Sequence, residues 1–389
     1  MHVILFNGFL DERKGGPSGY LAKLKNNLNE NNIKFVYKNK NNKSNNFLGS
    51  VKSHAKKFLQ NIYLNKIIKN IEYDNFYNQL DLKNIKSIHF HSTLDLYTFN
   101  KMFPDNKIIK ILTSHSPEIP ANERINSFNF LNNNNRNKLY KYFLEVDKVA
   151  FKLSDYIIFP SKNSMEPYYN SLADFSTLIK GSKIKYLYTG TPKLNFFESK
   201  EKVLDRYNIK NSFIVSYVGR HNTIKGYDLI KKAAKILWND NYNITFLIAG
   251  KEEPIKGLED KRWIEVGWTR DPGSIINASD VFLLPNRQTY FDLILLEVLS
   301  LAKPVIASDT GGNKDFFGKT KGVIPFKPDN IEDLVKTIIR VYNLNNSELE
   351  NLGKENYNLY NRLFTIEKMS DNYKKVIEEI YKENNIEVF

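Results

Sequence analysis

The acids, bases and glycines able to do chemistry fall in a few short stretches of this 389-residue chain. PNRQTYFDLILLEVLS, Pro285 to Ser300, carries one carboxylate in its helix-like middle, Glu297. Asp292 lies near its start, and Thr289 stands eight positions before the glutamate. Eight residues at 3.6 per turn is a little over two turns, so Thr289 and Glu297 are expected on one helix face. SYVGRHNTIKGYDLI places Arg220 and Lys225 in the loop between a strand ending at Gly219 and a helix starting near Gly226. Loops at strand C-termini are where α/β sheets bind ligands. An Arg–Lys pair beside a helix N-terminus suits a diphosphate, Arg as a fork and Lys as a point charge. TSHSPEIPANE puts His115 at a strand C-terminus among small residues and prolines, where its imidazole can donate to a hydroxyl or phosphate. Glu118 and Glu123 follow on that loop as candidate acid–base or acceptor groups on the acceptor side. Two glycine turns complete the set: GFLDERKGGPSGYL, with Gly15 and Gly16 before a helix expected to start at Pro17 or Ser18, and SDTGGNKDF, with Gly311 and Gly312. Each offers backbone N–H groups to an anion. The first does not have the spacing of the G-x-G-x-x-G dinucleotide fingerprint. There is no Asp-x-Asp pair and no His/acid cluster with metal spacing. Diphosphate chemistry here would therefore run on Arg, Lys and helix dipoles, with no metal and no cofactor expected.

The elements that must position these residues are legible as alternation. Apolar, β-branched runs bounded by turn residues recur at 3–6, 33–37, 87–91, 108–113, 156–160 and 184–188. They recur again at 213–219, 244–250, 263–267, 280–285, 304–308 and 322–326. Runs apolar on both faces are what buried parallel strands look like. Amphipathic segments such as KGYDLIKKAAKILWND and NIEDLVKTIIRVYN lie between many of them, which predicts doubly wound α/β sheets. Twelve strands exceed one sheet of usual size. The polar stretch TGTPKLNFFESKEKVLDRYNIKNS, broken by Gly and Pro, is the best break, so a domain boundary is expected near residue 191.

Composition bounds the setting. The chain is 41% hydrophobic, enough for sizeable cores, and has no cysteine, which excludes disulfides and thiolate metal sites and suits a reducing cytoplasm. The start, MHVILFNG, lacks the pattern of a signal peptide, and no window reaches the ~18 apolar residues of a membrane span. The net charge of +14 is uneven: Ala22 to Asn70 holds eleven lysines against one acid, Glu30. Such a block can meet nucleic acid, anionic lipid or anionic substrates, or be a solvated face. Within it, SVKSHAKKFLQNIYLNKIIKNI (50–71) sets Phe58, Leu59, Ile62, Tyr63, Ile67 and Ile68 on a broad helical stripe, with lysines 52, 56, 57, 66 and 69 around it. That is a membrane-surface pattern whose apolar side is equally compatible with ordinary core.

The sequence resembles the retaining GT-B glycosyltransferases of glycosyltransferase family 4, of the bacterial surface-glycan type. The resemblance is strongest over 213–312, at YVGRHNTIKG, FLIAGKEE, VGWTRDP, ASDVFLLPN and LLEVLSLAKPVIASDTGG. Earlier in the chain GGPSGYL, HFHS, TSHSPE, SDYIIFPSKNS and YTGTP also match. It implies two Rossmann-like domains facing a cleft. Residues 1–190 plus 370–389 would form the acceptor side and 191–369 the nucleotide-sugar side, with the final helix crossing back to the first domain. It implies transfer of a sugar from a nucleotide-sugar to a glycan, lipid-linked or protein acceptor in surface polysaccharide or glycoconjugate synthesis. The site implied is cytoplasmic and peripheral on the inner leaflet.

The same resemblance assigns roles. Arg220 and Lys225 match the pair that grips the diphosphate. Gly15 and Gly16 match the glycine loop near phosphates and sugar, and His115 the histidine near the reacting carbon. Glu297 matches the ribose ligand, and the GWTR segment brings Trp268 or Arg270 beside the base. The family's first glutamate, a sugar ligand, falls on Thr289 here. A threonine cannot take two hydroxyls as a carboxylate does. Asp292 either supplies the missing carboxylate or only caps the helix start. Thr289 also leaves open a non-catalytic GT-B partner subunit, and the charge a nucleic-acid binder. Retention of His115, Arg220, Lys225 and Glu297 argues against the former, and the absence of any helix-turn-helix, zinc or RNA-binding signature against the latter.

Overall fold

The computed structural model describes residues 1–12, 16–28, 32–38 and 60–387. Two compact units emerge. The first comprises Met1–Pro160, Pro167–Leu187 and Ser370–Phe389, the second Ser161–Glu166 and Tyr188–Met369. The chain thus leaves the first unit after Leu187 and rejoins it at Ser370.

The first unit is a six-stranded, all-parallel sheet in the order β2-β1-β3-β4-β5-β6. Its strands are β1 (His2–Phe6), β2 (Ile33–Tyr37), β3 (Ser87–Phe90), β4 (Ile109–Leu112), β5 (Tyr156–Phe159) and β6 (Lys183–Tyr186). Helices α1 (Gly16–Asn27), α2 (Gln60–Glu72), α3 (Thr93–Met102) and α4 (Asn133–Leu153) are among the crossovers. The inner strands β3 and β5 are buried along their length, whereas the edge strand β6 exposes Lys183 and Tyr186. An edge needs one covered face only, which is why lysines are tolerated there. In α2, Leu64, Ile67 and Ile71 are buried at helical spacing, so that side of the basic helix is core, while Lys66 and Lys69 face solvent. Residues 50–59, with Phe58, Leu59, Lys52, Lys56 and Lys57, lie outside the described residues.

The second unit is again six-stranded and parallel, in the order β12-β11-β10-β7-β8-β9. Its strands are β7 (Phe213–Val218), β8 (Ile244–Ala249), β9 (Trp263–Gly267), β10 (Val281–Leu284), β11 (Val305–Ser308) and β12 (Val323–Phe326). Helices α5 (Tyr227–Asn239), α6 (Leu293–Ser300), α7 (Ile331–Tyr342) and α8 (Asn346–Leu363) follow. The last helix, α9 (Ile366–Glu383), begins here and from Ser370 on belongs to the first unit. One core cluster packs Tyr217, Ile230, Leu237, Phe246 and Trp263 with Leu334 and Ile338. Each of the twelve strands expected from the apolar runs is present, with ends within two residues of those expected. No described helix is long and apolar enough to cross a membrane.

In a doubly wound sheet, ligands bind outside the strand carboxyl ends where the strand order reverses. In the first unit the reversal falls between β1 and β3, in the second between β7 and β10. The β7–α5 and β10–α6 loops therefore frame the crevice of the second unit.

Candidate functional site

In the second unit β7 ends and the chain turns through Gly219–Lys225 into α5. Gly226 is the N-cap of that helix at φ +69°, and a Cβ there would lie 1.9 Å from the Pro285 carbonyl oxygen. Only glycine lets the two loops approach this closely. Arg287, which the sequence did not single out, locks them together. Its guanidinium forks the Asp228 carboxylate at 2.6 and 2.8 Å and reaches Asp329 at 2.8 Å, while its N–H donates to the Ile224 carbonyl at 2.9 Å. The fork holds the Asp228 carboxyl below its ordinary pKa.

Lys225 lies inside this frame. Its N–H donates to Asn222 Oδ1 at 2.9 Å, and its ammonium meets Asp292 Oδ1 at 2.6 Å. The second oxygen of Asp292 accepts from the Asn286 amide. Asp292 occupies the N-cap position of α6, but its side chain makes no capping bond. Of the two roles open for Asp292, capping is excluded, and the carboxylate is engaged with Lys225. Arg220 is exposed, its carbonyl accepting from Tyr217 Oη at 2.7 Å.

Three expectations require correction. Thr289 and Glu297 do not share a helix face: α6 starts only at Leu293, so Thr289 lies in the preceding turn. The apolar run misled because Tyr290 and Phe291 are buried as loop residues, not as a helix stripe. Thr289 is buried, and its carbonyl oxygen would lie 1.9 Å from a Cβ at Gly311, where φ is +47°. The glycine turn at Gly311 and Gly312 does bind an anion, but an internal one. Gly311 N–H and Thr310 Oγ1 donate to Glu166 Oε1 at 3.1 Å each, and the Lys314 ammonium meets Glu166 Oε2 at 2.5 Å. These contacts hold Glu166 below its ordinary pKa despite the burial that opposes them. Finally, the helix after the first glycine turn begins at Gly16, one residue before the earlier of the expected starts.

Glu297 is half-buried on α6, and Trp268 and Arg270 are exposed after β9. His221, beside Arg220, is fully buried and stacks on Tyr227 at 4.0 Å between centroids, with Nε2 3.6 Å from Glu265 Oε1. Burial lowers the His221 pKa and raises that of Glu265.

In the first unit, His115 follows β4 and is half-buried. Its Nε2 lies 2.8 Å from His91 Nδ1, and its ring is 5.0 Å from that of Tyr20 on α1. Burial pushes the His115 pKa down to about 3, so the ring is neutral at pH 7. Glu123 accepts from Ser116 Oγ at 3.1 Å and Glu118 from the Asn122 amide at 2.6 Å. Gly16 is exposed with φ +65°, and Ser18 braces the loop before it by accepting from Asp11 N–H and donating to the Phe9 carbonyl. Gly15 lies outside the described residues. His91 was visible in HFHS, since a two-residue spacing at a strand end puts both rings on one face. Asn286, Arg287 and Glu166 carried no sequence signal. Among the described residues no group of three His, Asp or Glu is placed to hold a metal.

Comparison with known proteins bears on this geometry. Residues 212–344 match the family model "Glycosyl transferases group 1". That segment is a group 1 glycosyl transferase domain. It contains Arg220, Lys225, Thr289, Asp292, Glu297, Gly311 and Gly312 and the whole β7/β10 crevice. A relative from Escherichia coli, UDP-Gal:alpha-D-GlcNAc-diphosphoundecaprenol alpha-1,3-galactosyltransferase, is 28% identical over 195 residues, covering 47% of this chain and 50% of that one. The capsular polysaccharide biosynthesis glycosyltransferase CapM of Staphylococcus aureus is 26% identical over 155 residues, 36% of this chain and 41% of its own. The chain thus spans about half the length, or less, of these curated relatives. Among solved structures, sucrose-phosphate synthase from Thermosynechococcus elongatus aligns over 98% of this chain and 99% of its own, with a TM-score of 0.66 at 15% identity. Anabaena HepE in complex with UDP-glucose aligns over 97% and 99%, with a TM-score of 0.62 at 13% identity. The glycosyl transferase domain and the unit before it therefore have the GT-B fold, two Rossmann-like parallel sheets followed by C-terminal helices.

Proposed function

We propose that this chain is a glycosyltransferase of surface-polysaccharide or glycoconjugate synthesis, moving a sugar from a nucleotide-sugar to an acceptor hydroxyl with retention of configuration. The observation that carries the reading is the convergence of Lys225, Asp292 and Asn286 where the strand order of the second sheet reverses, within the group 1 glycosyl transferase domain. In this reading the ammonium of Lys225 and the exposed guanidinium of Arg220 hold the diphosphate and stabilise the charge that develops on it. Glu297 takes the ribose, Thr289 and the Lys225–Asp292 pair face the donor sugar, and Trp268 or Arg270 borders the base. The family resemblance implies sugar contacts for His115, Gly15 and Gly16 and acceptor contacts for Glu118 and Glu123. The sugar C1–diphosphate bond breaks as the C1–acceptor oxygen bond forms on the same face, and the acceptor proton passes to the departing phosphate oxygen. Positioning and charge stabilisation supply the rate, with no cofactor and no metal required.

A uridine diphosphate sugar is the donor class to try first, because the E. coli relative's name and the HepE complex both carry one. The E. coli name also carries a lipid diphosphate acceptor. Together with Lys66 and Lys69, the exposed lysines at the end of the basic block, this favours a lipid-linked acceptor met at an anionic membrane surface from the cytoplasmic side. The test is release of UDP by the purified full chain from UDP-galactose, UDP-glucose and UDP-N-acetylglucosamine, with and without a polyprenyl-diphosphate sugar, in EDTA and in Mg²⁺. Turnover in EDTA supports the reading. No turnover of any donor, together with no thermal stabilisation by UDP where ~100 times a dissociation constant would give about 2.7 kcal/mol, refutes it.

A further inference from the structure

His115 is the outermost of four histidines gathered in the first unit, and its neighbours have no role in the reading above. His2, His89 and His91 are buried. Their partners fix the protons. Thr113 Oγ1 donates to the Ile158 carbonyl at 3.2 Å, so its one hydrogen is used and it must accept from His89 Nε2 at 2.8 Å. His89 is then the Nε2–H tautomer, and its Nδ1 accepts from Tyr373 Oη at 2.9 Å. A phenol has one hydrogen, so the Tyr373 oxygen accepts from His2 Nε2–H at 2.9 Å. His2 Nδ1 in turn accepts from Ser87 Oγ at 2.6 Å, and Ser87 accepts from Tyr381 Oη at 2.9 Å. One carbonyl on β5 thus sets every proton back to α9.

His91 stands outside that chain. Its ring lies against that of His89, tilted by 40° with centroids 4.1 Å apart, and its Nδ1 meets His115 Nε2 at 2.8 Å. Two neutral imidazoles in this contact share one proton. The other nitrogen of His91, Nε2, is buried without a hydrogen-bond partner. If His115 donated, His91 would carry its proton on that nitrogen as an orphaned buried donor. If His91 donates, only a lone pair is left over. Buried N–H groups without partners are rarer than buried acceptors without them.

We infer that His91 is a positioning residue that donates from Nδ1 and so holds His115 as the neutral Nδ1–H tautomer. Burial keeps both rings neutral, with the pKa of each depressed. Resting on the transferase reading, His115 then offers a sugar hydroxyl one N–H donor, and neither a cation nor a base.

The test is a long-range ¹H–¹⁵N correlation spectrum of the full chain with ¹⁵N-histidine, the His115 signals being identified by their loss in His115→Gln. A proton on His115 Nδ1 with Nε2 bare is expected. In His91→Leu the His115 tautomer should change, and in His91→Asn, whose amide donates from the place of Nδ1, it should return. A proton on His115 Nε2 in the wild type overturns the inference, and that spectrum decides even if a variant fails to fold. An unchanged His115 tautomer in folded His91→Leu overturns it as well. In turnover, His91→Leu should lose about 10²-fold in kcat with little change in donor KM, and His91→Asn should recover most of it. A wild type with the expected tautomer that turns over no nucleotide-sugar defeats the transferase reading and leaves this one standing.

Discussion

Removing Lys225 separates its chemical role from its structural one, because its partner can be removed as well. The ammonium lies 2.6 Å from Asp292 Oδ1, and the lysine and aspartate side chains are only 22% and 15% exposed. Lys225→Ala leaves the Asp292 carboxylate half-buried, with the Asn286 amide still donating to its second oxygen. Losing one charged partner of a buried group costs about 1–3 kcal/mol. At roughly 2–4 °C per kcal/mol for a unit of this size, the unfolding midpoint should fall by about 2–12 °C. If Lys225 also stabilises the leaving diphosphate, turnover should drop by ~10²–10³-fold. Asp292→Asn in the same chain removes the stranded charge and keeps an amide-sized group. Lys225→Ala/Asp292→Asn should therefore regain most of the lost midpoint and none of the lost turnover. Differential scanning fluorimetry and a UDP-release assay read the two quantities on the same preparations. The reasoning fails if Lys225→Ala keeps turnover within a few-fold of wild type, or if the double variant recovers activity along with stability.

Acid should weaken the first unit. His2 and His115 are held near pKa 3 by burial against an unfolded value of about 6.5, so between those pH values the unfolded chain binds more protons and stability falls as pH drops. At pH 5 this costs ~2 kcal/mol for His2 alone, partly offset by Asp95, whose burial raises it to about 6 and gives the opposite sign. A midpoint that stays flat from pH 7 to 4.5 contradicts this. Gly311→Ala should destabilise by more than ~1–3 kcal/mol because of its positive φ and the Thr289 carbonyl at 1.9 Å. Gly318→Ala, with positive φ but open space, should cost only about 1–2 kcal/mol, and equal losses would show that the close approach is not what matters. Thr289→Glu should change donor preference or lower activity, since the buried turn must accommodate a carboxylate; an unaltered donor profile would mean the position is not read. The full chain should co-sediment with anionic vesicles at low salt and be released as salt rises, and reversal of Lys52, Lys56 and Lys57 should abolish this. Retention in the supernatant at low salt removes the membrane from the reading.

Much of the architecture was readable from the chain. A buried parallel strand needs apolar residues on both faces, so every run from Val3 to Phe326 announced itself locally, and β8, buried at all six positions, is the extreme case. That Arg220 and Lys225 follow the carboxyl end of β7, and His115 that of β4, was equally legible, because turn residues mark where each apolar run stops. What the linear order could not contain is who meets whom. Asp292 reads as a cap until a lysine 67 positions earlier takes its oxygen. The anion for the glycine turn at Gly311 is Glu166, 145 positions away and invisible as a ligand in its own neighbourhood. Thr289 looked helical because apolar periodicity does not distinguish a buried turn from a buried helix. The protons of two buried imidazoles, His2 and His89, were settled by a β5 carbonyl and by hydroxyls that include Tyr373 of the last helix. Tertiary structure decided these points because hydrogen bonds and ion pairs form between groups brought within about 3 Å, and only the folded chain determines which groups those are.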